Sequence, residues 1–475
     1  MTDRPDRSLT MTRDTRDSDP PRTTPTEAAL GLLLECDRPL AGSSRHQLGG
    51  VSVVSIGRAR TERTVKRRTV GGHVTVELGI PDARISTAHA RLVLDIDRWV
   101  VEDAGSKNGV IINGVQRARA VLDDGDLLEL GHTVFLFRGP RAEPAAPSPL
   151  DQDSAELAAH APGLVTLLPT LAHAFDDLAQ ITRTTTAILL IGETGTGKEL
   201  VARAVHGLAE RAQAFVAVNC GALPTTLVES ELFGYVKGAF SGATADRLGL
   251  VRTANGGTLF LDEIGDLSPS SQASLLRVLQ EREVTPLGST QPVAVDLHVV
   301  AATHHDLAAM VERGSFRRDL YARVAGFTLR MPPLRERRED LGLLIATLLP
   351  RIAPDRADRI QIGCDAMRAL VEHDWPNNVR ELEACLGVAL ALARGGAIHL
   401  EHLPETVRGG SPGEPDLRPR TRLTAADERL LAELKELLET HAGNISAVAR
   451  ASGKARTQIQ RWMKRFGLDS DSFRR

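Results

Sequence analysis

The chain has 475 residues, of which 42% are hydrophobic, 25% charged and 3% aromatic, and its formal net charge is −3. That length predicts about three domains, and the near-neutral balance excludes a chain-wide polyanion-binding surface, so any nucleic-acid contact must come from a local basic patch. Cys36, Cys220, Cys364 and Cys385 are scattered and form no CxxC pair, which predicts free buried thiols in a reducing compartment and no zinc site.

Residues 1–28 are rich in Asp, Arg, Pro and Thr and read as a disordered tail. They lack the apolar core of a signal peptide. No apolar run reaches the ~20 residues of a membrane helix, so a cytoplasmic protein without membrane contact is expected.

Residues 29–138 carry short apolar runs (VSVVSIG, RLVLDI, WVVED, VFLF) separated by turn formers such as DAGSKNG and LDDGD. That spacing predicts an all-β sandwich. The residues Ile56-Gly57-Arg58, Ser86-Thr87-Ala88-His89, Asp103 to Gly109 and Asn113-Gly114 resemble the forkhead-associated domain, which binds phosphothreonine peptides. The chemistry suits that ligand. Arg58 supplies positive charge for a near-dianion and Ser86 a hydroxyl donor. Asn108 can bond a peptide backbone with both amide atoms. Thr87 stands where the family often has Arg, and Lys107 where it often has Thr; both belong to the expected site. His89 is expected to brace the loop from inside. The basic segment 59–76 reads as a solvated loop, with a wider anion surface as the alternative.

Residues 139–162 are rich in Pro and Ala and read as a linker. In 163–407 strands alternate with helices, predicting a parallel α/β sheet followed by a helical lid. The apolar run Ala187–Ile191 leads into Gly192-Glu193-Thr194-Gly195-Thr196-Gly197-Lys198 and then an amphipathic helix. Strand, GxxxxGK loop and helix in that order predict an ATP-phosphate cradle, with Lys198 reaching the terminal phosphates. Glu199 occupies the position where Ser or Thr usually meets Mg²⁺. A second strand, Thr258–Leu261, ends in Asp262 and Glu263. Asp262 is the expected Mg²⁺ ligand, and Glu263 the residue that orients the attacking water.

The stretch from Gly192 to Glu383 includes GETGTGKELVARAVH, ESELFGYVKGAFSGA, GGTLFLDEIGDLS, VVAATHHDL, FRRDLYARV, PPLRERRED and WPNNVRELE. It resembles the AAA+ domain of sigma-54-dependent activators. The resemblance implies that Asn219 restrains Glu263 and that Thr303 senses the γ-phosphate, with His304 in place of the usual Asn. It implies that Arg317 and Arg323 act in trans on a neighbour's nucleotide and that Arg380 is the lid sensor. Asn377 replaces a usual Gly. Gly238, Ala239, Phe240, Ser241, Gly242 and Ala243 match the loop that touches sigma-54, with Ser241 for Thr. A homo-oligomeric ring is implied, a hexamer when active and a dimer when inactive, and so is a sigma-54 RNA polymerase partner.

A second linker, 408–422, precedes an all-α segment, 423–470, that resembles a Fis-type helix-turn-helix. Lys454–Arg475 holds seven basic residues against two acidic, a patch suited to upstream double-stranded DNA. Gln458 and Gln460 could read adenine edges, Arg456 and Arg461 guanine edges; each of these, and Thr457, could equally bind phosphate. Together these elements predict a sigma-54-dependent activator driven by ATP and Mg²⁺ that senses a phosphothreonine protein. The alternative, motivated by Ser241, His304 and Asn377, is a DNA-binding regulator with a weakened or inactive motor.

Overall fold

The computed structural model describes residues 27–409, apart from 141, 145–148, 158 and 223–226, together with the strand 23–25 and parts of 434–452. Residues up to Gly410 form one compact unit and Ser411–Arg475 a second.

The N-terminal apolar runs build two facing sheets. The six-stranded sheet runs Arg119–Val121, Arg98–Asp103, Ala90–Asp95, Val51–Arg58, His73–Ile80, Thr64–Val70. The seven-stranded sheet runs Val115–Arg117, Val110–Ile112, Leu127–Leu130, Thr133–Arg138, Ala29–Glu35, Ser44–Gln47, Asp151–Asp153. Between them lie Leu30, Leu32, Ile56, Leu92, Leu128 and Phe135. The basic segment 59–76 is not a loop: Thr64–Val70 and His73–Ile80 pair as an antiparallel hairpin at the sheet edge. Arg63 reaches Glu35 and Asp153, and Arg67 reaches Asp151, so these cations are spent on internal pairs. Nor is all of 139–162 a linker, since Asp151–Asp153 pairs with Ser44–His46.

Ala29–Glu35 and Thr133–Arg138 are buried at every position. A strand covered on one face alternates apolar and polar, whereas one covered on both reads as a continuous apolar run. Leu30, Leu32, Phe135 and Phe137 face the sandwich core. Leu33, Leu34, Val134 and Leu136 face the other way, into a core shared with the helical lid. An irregularity opposite Val134/Phe135 leaves Leu33 without a register partner, and this places Leu33 and Leu34 on the same outer side.

The lid contributes Leu341–Ile352, Cys364–Glu372 and Asn378–Leu392, through Leu341, Ile345, Met367, Leu370 and Trp375 among others. The approach is close: a Cβ at Gly342 would stand 1.7 Å from the Leu33 carbonyl oxygen. Buried Arg138 donates to Glu339 at 2.9 Å, and Arg368 lies 2.6 Å from Glu129. Cys36 and Cys364, 328 residues apart in sequence, bring their Sγ atoms to 3.5 Å. Cys36, Cys220 and Cys385 are buried and Cys364 is half-buried; none forms a disulfide.

The middle of the chain forms a five-stranded, all-parallel sheet ordered Phe215–Asn219, Thr258–Asp262, His298–Thr303, Ile188–Ile191, Phe327–Arg330. Its strands are apolar on both faces because helices cover both: Leu190, Phe260 and Val300 pack with Pro169–Ile181 and Lys198–Leu208, while Leu189, Leu261 and Val299 pack with Pro269–Glu281 and Arg318–Val324. In the second unit, Leu434, Leu438, Val448 and Ala449 form a small core, and Asn444 accepts from the Ala447 amide at the start of Ile445–Ser452. Arg456, Thr457, Gln458, Gln460 and Arg461 lie outside the described residues, as do residues 1–22 and 410–422. No helix among the described residues is long and apolar enough to cross a membrane.

Candidate nucleotide and phosphopeptide sites

At the C-terminal edge of the parallel sheet, Ile191 stands beside Thr303 and the chain turns into Gly192–Lys198. Gly195 and Gly197 adopt φ of 78° and 102°, values that L side chains rarely take. A Cβ at Gly195 would also lie 2.1 Å from the Asn377 carbonyl oxygen. Lys198, buried at the start of its helix, donates to the carbonyls of Gly192 at 2.7 Å and Glu193 at 3.2 Å. Burial holds its ammonium below the usual lysine range, opposed by Glu263 and Asp262. A buried lysine at the N-terminus of a helix is what a polyphosphate would meet.

The paired acids stand beside it. Glu263 Oε1 is 3.8 Å from Lys198 Nζ. Burial and the neighbouring charge of Glu263 raise the Asp262 carboxyl above its ordinary value. Asp262 lies opposite Asn219 in the parallel register, with Asn219 Nδ2 3.5 Å from its Oδ2. Asn219 therefore faces Asp262; its Oδ1 accepts from Gly221 and Ala222. The partner of Glu263 is His304, whose Nδ1 is 2.7 Å and whose backbone N is 3.2 Å from Oε2. Thr303 is fully buried, and its hydroxyl accepts from the His305 amide. Among the described residues no three His, Cys, Asp or Glu side chains cluster as metal ligands. Mg²⁺ needs no such cage, since one or two carboxylates with phosphate and water oxygens suffice. Asp262, a hard oxygen donor raised by burial and like charge, fits it. Glu199 is bonded to Arg203 at 2.7 Å.

The lid grips the loop through residues whose roles were not legible in the sequence. Arg335 makes a two-pronged pair with Glu193 at 2.6 and 2.9 Å, which holds that carboxyl down to about 2. Arg337, buried, donates to the Thr196 carbonyl. Asn378, fully buried with φ 55°, donates to Glu193 and Thr194 and accepts from the Leu334 amide. Val379 N donates to the Gly195 carbonyl, and Arg380 packs beside Gly195. The density of arginine in PPLRERRED was the available signal. Arg317 is exposed and paired with Asp319; Arg323 is exposed on the helix Arg318–Val324. The residues Gly238–Ala243 form a turn closed by Gly238 N to Ala243 O at 2.9 Å. Phe240 at its tip is 45% exposed, its ring edge against Tyr235.

In the sandwich, three loops converge. Arg58 N donates to the Ser86 carbonyl, and Ser86 Oγ accepts from Lys107 N. Asn108 Nδ2 donates to the Arg84 carbonyl at 2.7 Å. A Cβ at Gly57 would meet the Thr87 carbonyl at 2.0 Å, so glycine lets the two loops touch. Arg58, Thr87, Lys107 and Asn108 are exposed around them. His89 is fully buried, and its Nδ1 accepts from Ser86 N. Nε2 then carries the proton and donates to the Gly109 carbonyl, a brace between loops.

The strand–loop–helix around Lys198, the acids Asp262 and Glu263, and the lid on the loop define a P-loop nucleotide-binding domain of the AAA+ type. Residues 164–330 match the sigma-54 interaction domain, 335–419 the AAA+ ATPase lid domain and 54–131 the FHA domain. The hydrogenase transcriptional regulatory protein HoxA of Cupriavidus necator is 45% identical over 61% of this chain and 62% of its own length. The transcriptional regulatory protein GlrR of Escherichia coli is 38% identical over 66% of this chain and 69% of its own. The crystal structure of NtrX from Brucella abortus in complex with ATP is similar with a TM-score of 0.50, 31% identity and coverage of 64% of this chain and 70% of that one. The chain belongs to the family of transcriptional regulators built on the sigma-54 interaction domain, and carries an FHA domain in addition.

Proposed function

We propose that the protein is a sigma-54-dependent transcription activator that hydrolyses ATP to remodel sigma-54 RNA polymerase. The observation that carries this reading is the meeting of Lys198, Asp262 and Glu263 at one sheet edge, with the lid bonded to the same loop. Lys198 and the loop amides bind the phosphates of ATP, and Glu263 orients the attacking water. Mg²⁺, held through Asp262, neutralises charge on the phosphates when bound. Arg380 faces the nucleotide from the lid. Arg317 and Arg323, exposed, act on a neighbour's nucleotide, so turnover needs a ring, hexameric when active and dimeric at rest. Phe240, presented by the glycine-hinged turn, contacts sigma-54 together with Ser241. The sandwich senses a phosphothreonine protein through Arg58, Ser86, Thr87, Lys107 and Asn108. The C-terminal segment holds upstream DNA through Arg456, Thr457, Gln458, Gln460 and Arg461.

A second reading, a DNA-binding regulator with a weakened motor, takes the contact of His304 with the Glu263 carboxylate as withholding that oxygen from water rather than positioning it. Turnover in concentrated protein separates the two. The first reading expects ATP hydrolysis that Glu263→Gln abolishes while ATP still binds. Wild-type turnover no faster than that variant's establishes the second.

A further inference from the structure

A cleft of about 550 Å³ opens between the sandwich and the lid. The sandwich contributes Arg84, Asn108, Asp37 and Glu129; the lid contributes Asp365 and His399. Asn108 bonds to the Arg84 carbonyl, and the adjoining Lys107 bonds to Ser86. The cleft therefore begins on the loops that carry the expected phosphothreonine contacts and ends on the nucleotide lid.

Its charge differs from that of the phosphate pocket. Asp37 and Asp365 have half-exposed carboxylates, at 46% each, beside His132 at 3.0 Å and His399 at 3.7 Å. Glu129 is neutralised by Arg368, and Arg84 is the one Lys or Arg among the residues lining the cleft. Two carboxylates on opposite walls favour a cation between them. A tight interface also fixes their separation: the shared core, Gly342 against Leu33 and the buried Arg138–Glu339 pair leave the sandwich little freedom over the lid.

We propose that the AAA+ lid forms one wall of the phosphopeptide site, and that the ligand is a phosphothreonine segment carrying Lys or Arg on the flank that passes Asn108 into this cleft. The inference rests on the phosphothreonine reading above. A peptide bound this way touches Asp365 of the lid whose Asn378 and Arg335 hold the ATP loop.

The test is binding of the full-length chain to phosphothreonine peptides with Lys, Ala or Glu placed singly at the three positions before and after the phosphothreonine. At one flank position or more, Lys should bind roughly three- to tenfold more tightly than Glu, since the swap exchanges an exposed ion pair for a like-charge contact of similar size. Asp365→Asn keeps an acceptor for the Leu400 amide and should reduce that ratio to near unity, with an unchanged melting temperature. Asp37→Asn on the opposite wall should reduce it as well. Absence of any charge preference, or a preference that survives Asp365→Asn, overturns the lid wall and leaves the phosphothreonine reading standing. Failure of every phosphothreonine peptide to bind overturns that reading and this inference with it.

Discussion

The carboxylate of Glu263 is held by His304, which offers Nδ1 at 2.7 Å and its backbone N at 3.2 Å to the same oxygen. Glu263 itself sits at φ 52°, a region L residues visit rarely, so the side chain leaves the strand end at an unusual angle and is then fixed by its partner. His304→Ala should lower turnover about tenfold with little change in ATP affinity, because the orientation of Glu263, the proposed water-orienting residue, is lost while the phosphate contacts stay. His304→Asn, with an amide donor, should recover most of the loss. Equal turnover in wild type and the alanine variant would show that His304 does not position Glu263.

Asn378 is buried and makes three hydrogen bonds, two of them to the ATP loop. Asn378→Ala leaves the Leu334 amide and the Thr194 carbonyl without this partner, at about 1–3 kcal/mol for each group left unsatisfied. Both stability and ATP affinity should fall, read by melting temperature with and without nucleotide. A drop in stability with undiminished nucleotide-induced stabilisation would mean that the lid does not shape the loop.

Arg138 and Glu339 form an ion pair buried between sandwich and lid. Arg138→Met should destabilise the first unit by about 3–5 kcal/mol, since Glu339 keeps its charge and loses its partner. The double variant Arg138→Met/Glu339→Gln should recover part of this. Urea unfolding of the three proteins checks it; identical midpoints would show that the pair is solvated and the interface loose.

Asp340, the next residue, is fully buried, accepting from Thr166 Oγ1 and Leu167 N at 2.7 Å. Burial raises its carboxyl to about 6, against the pull of Arg337 and these hydrogen bonds. The folded state thus binds this proton more tightly than the unfolded chain, where the value is about 3.9. Its contribution to stability is complete below about pH 4 and is lost as pH rises to about 6, at most about 3 kcal/mol. Asp340→Asn should flatten the stability difference between pH 5 and pH 7. The same difference in both proteins would place the titration elsewhere.

The ATP site was legible because its signals are local. Gly192–Lys198 follows an apolar strand directly, and Asp262 and Glu263 close another. The partner of Glu263 was not legible: His304 read only as a replacement of the usual Asn, whereas the fold brings its ring onto the carboxylate from a neighbouring strand end. Asn219 was expected on Glu263, and the parallel register sets it opposite Asp262. The union of sandwich and lid had a signal that was not used, the unbroken apolar runs Ala29–Leu34 and Val134–Phe137, which a one-sided sandwich does not need. Arg63 and Arg67 made 59–76 look like a solvated loop, because the acids that pair with them, Glu35, Asp151 and Asp153, lie far away in sequence.

In the proposed function, ATP turnover at Lys198 and Glu263 is coupled through Phe240 to sigma-54 polymerase. Open-complex formation on a supercoiled sigma-54 promoter, with purified polymerase and ATP, measures that coupling. Wild type should open the promoter only with hydrolysable ATP and only with sigma-54 polymerase. Phe240→Ala should still hydrolyse ATP and fail to open it. Promoter opening by Phe240→Ala at the wild-type level, or by the wild type without hydrolysable ATP, would show that hydrolysis and sigma-54 are not coupled through this loop.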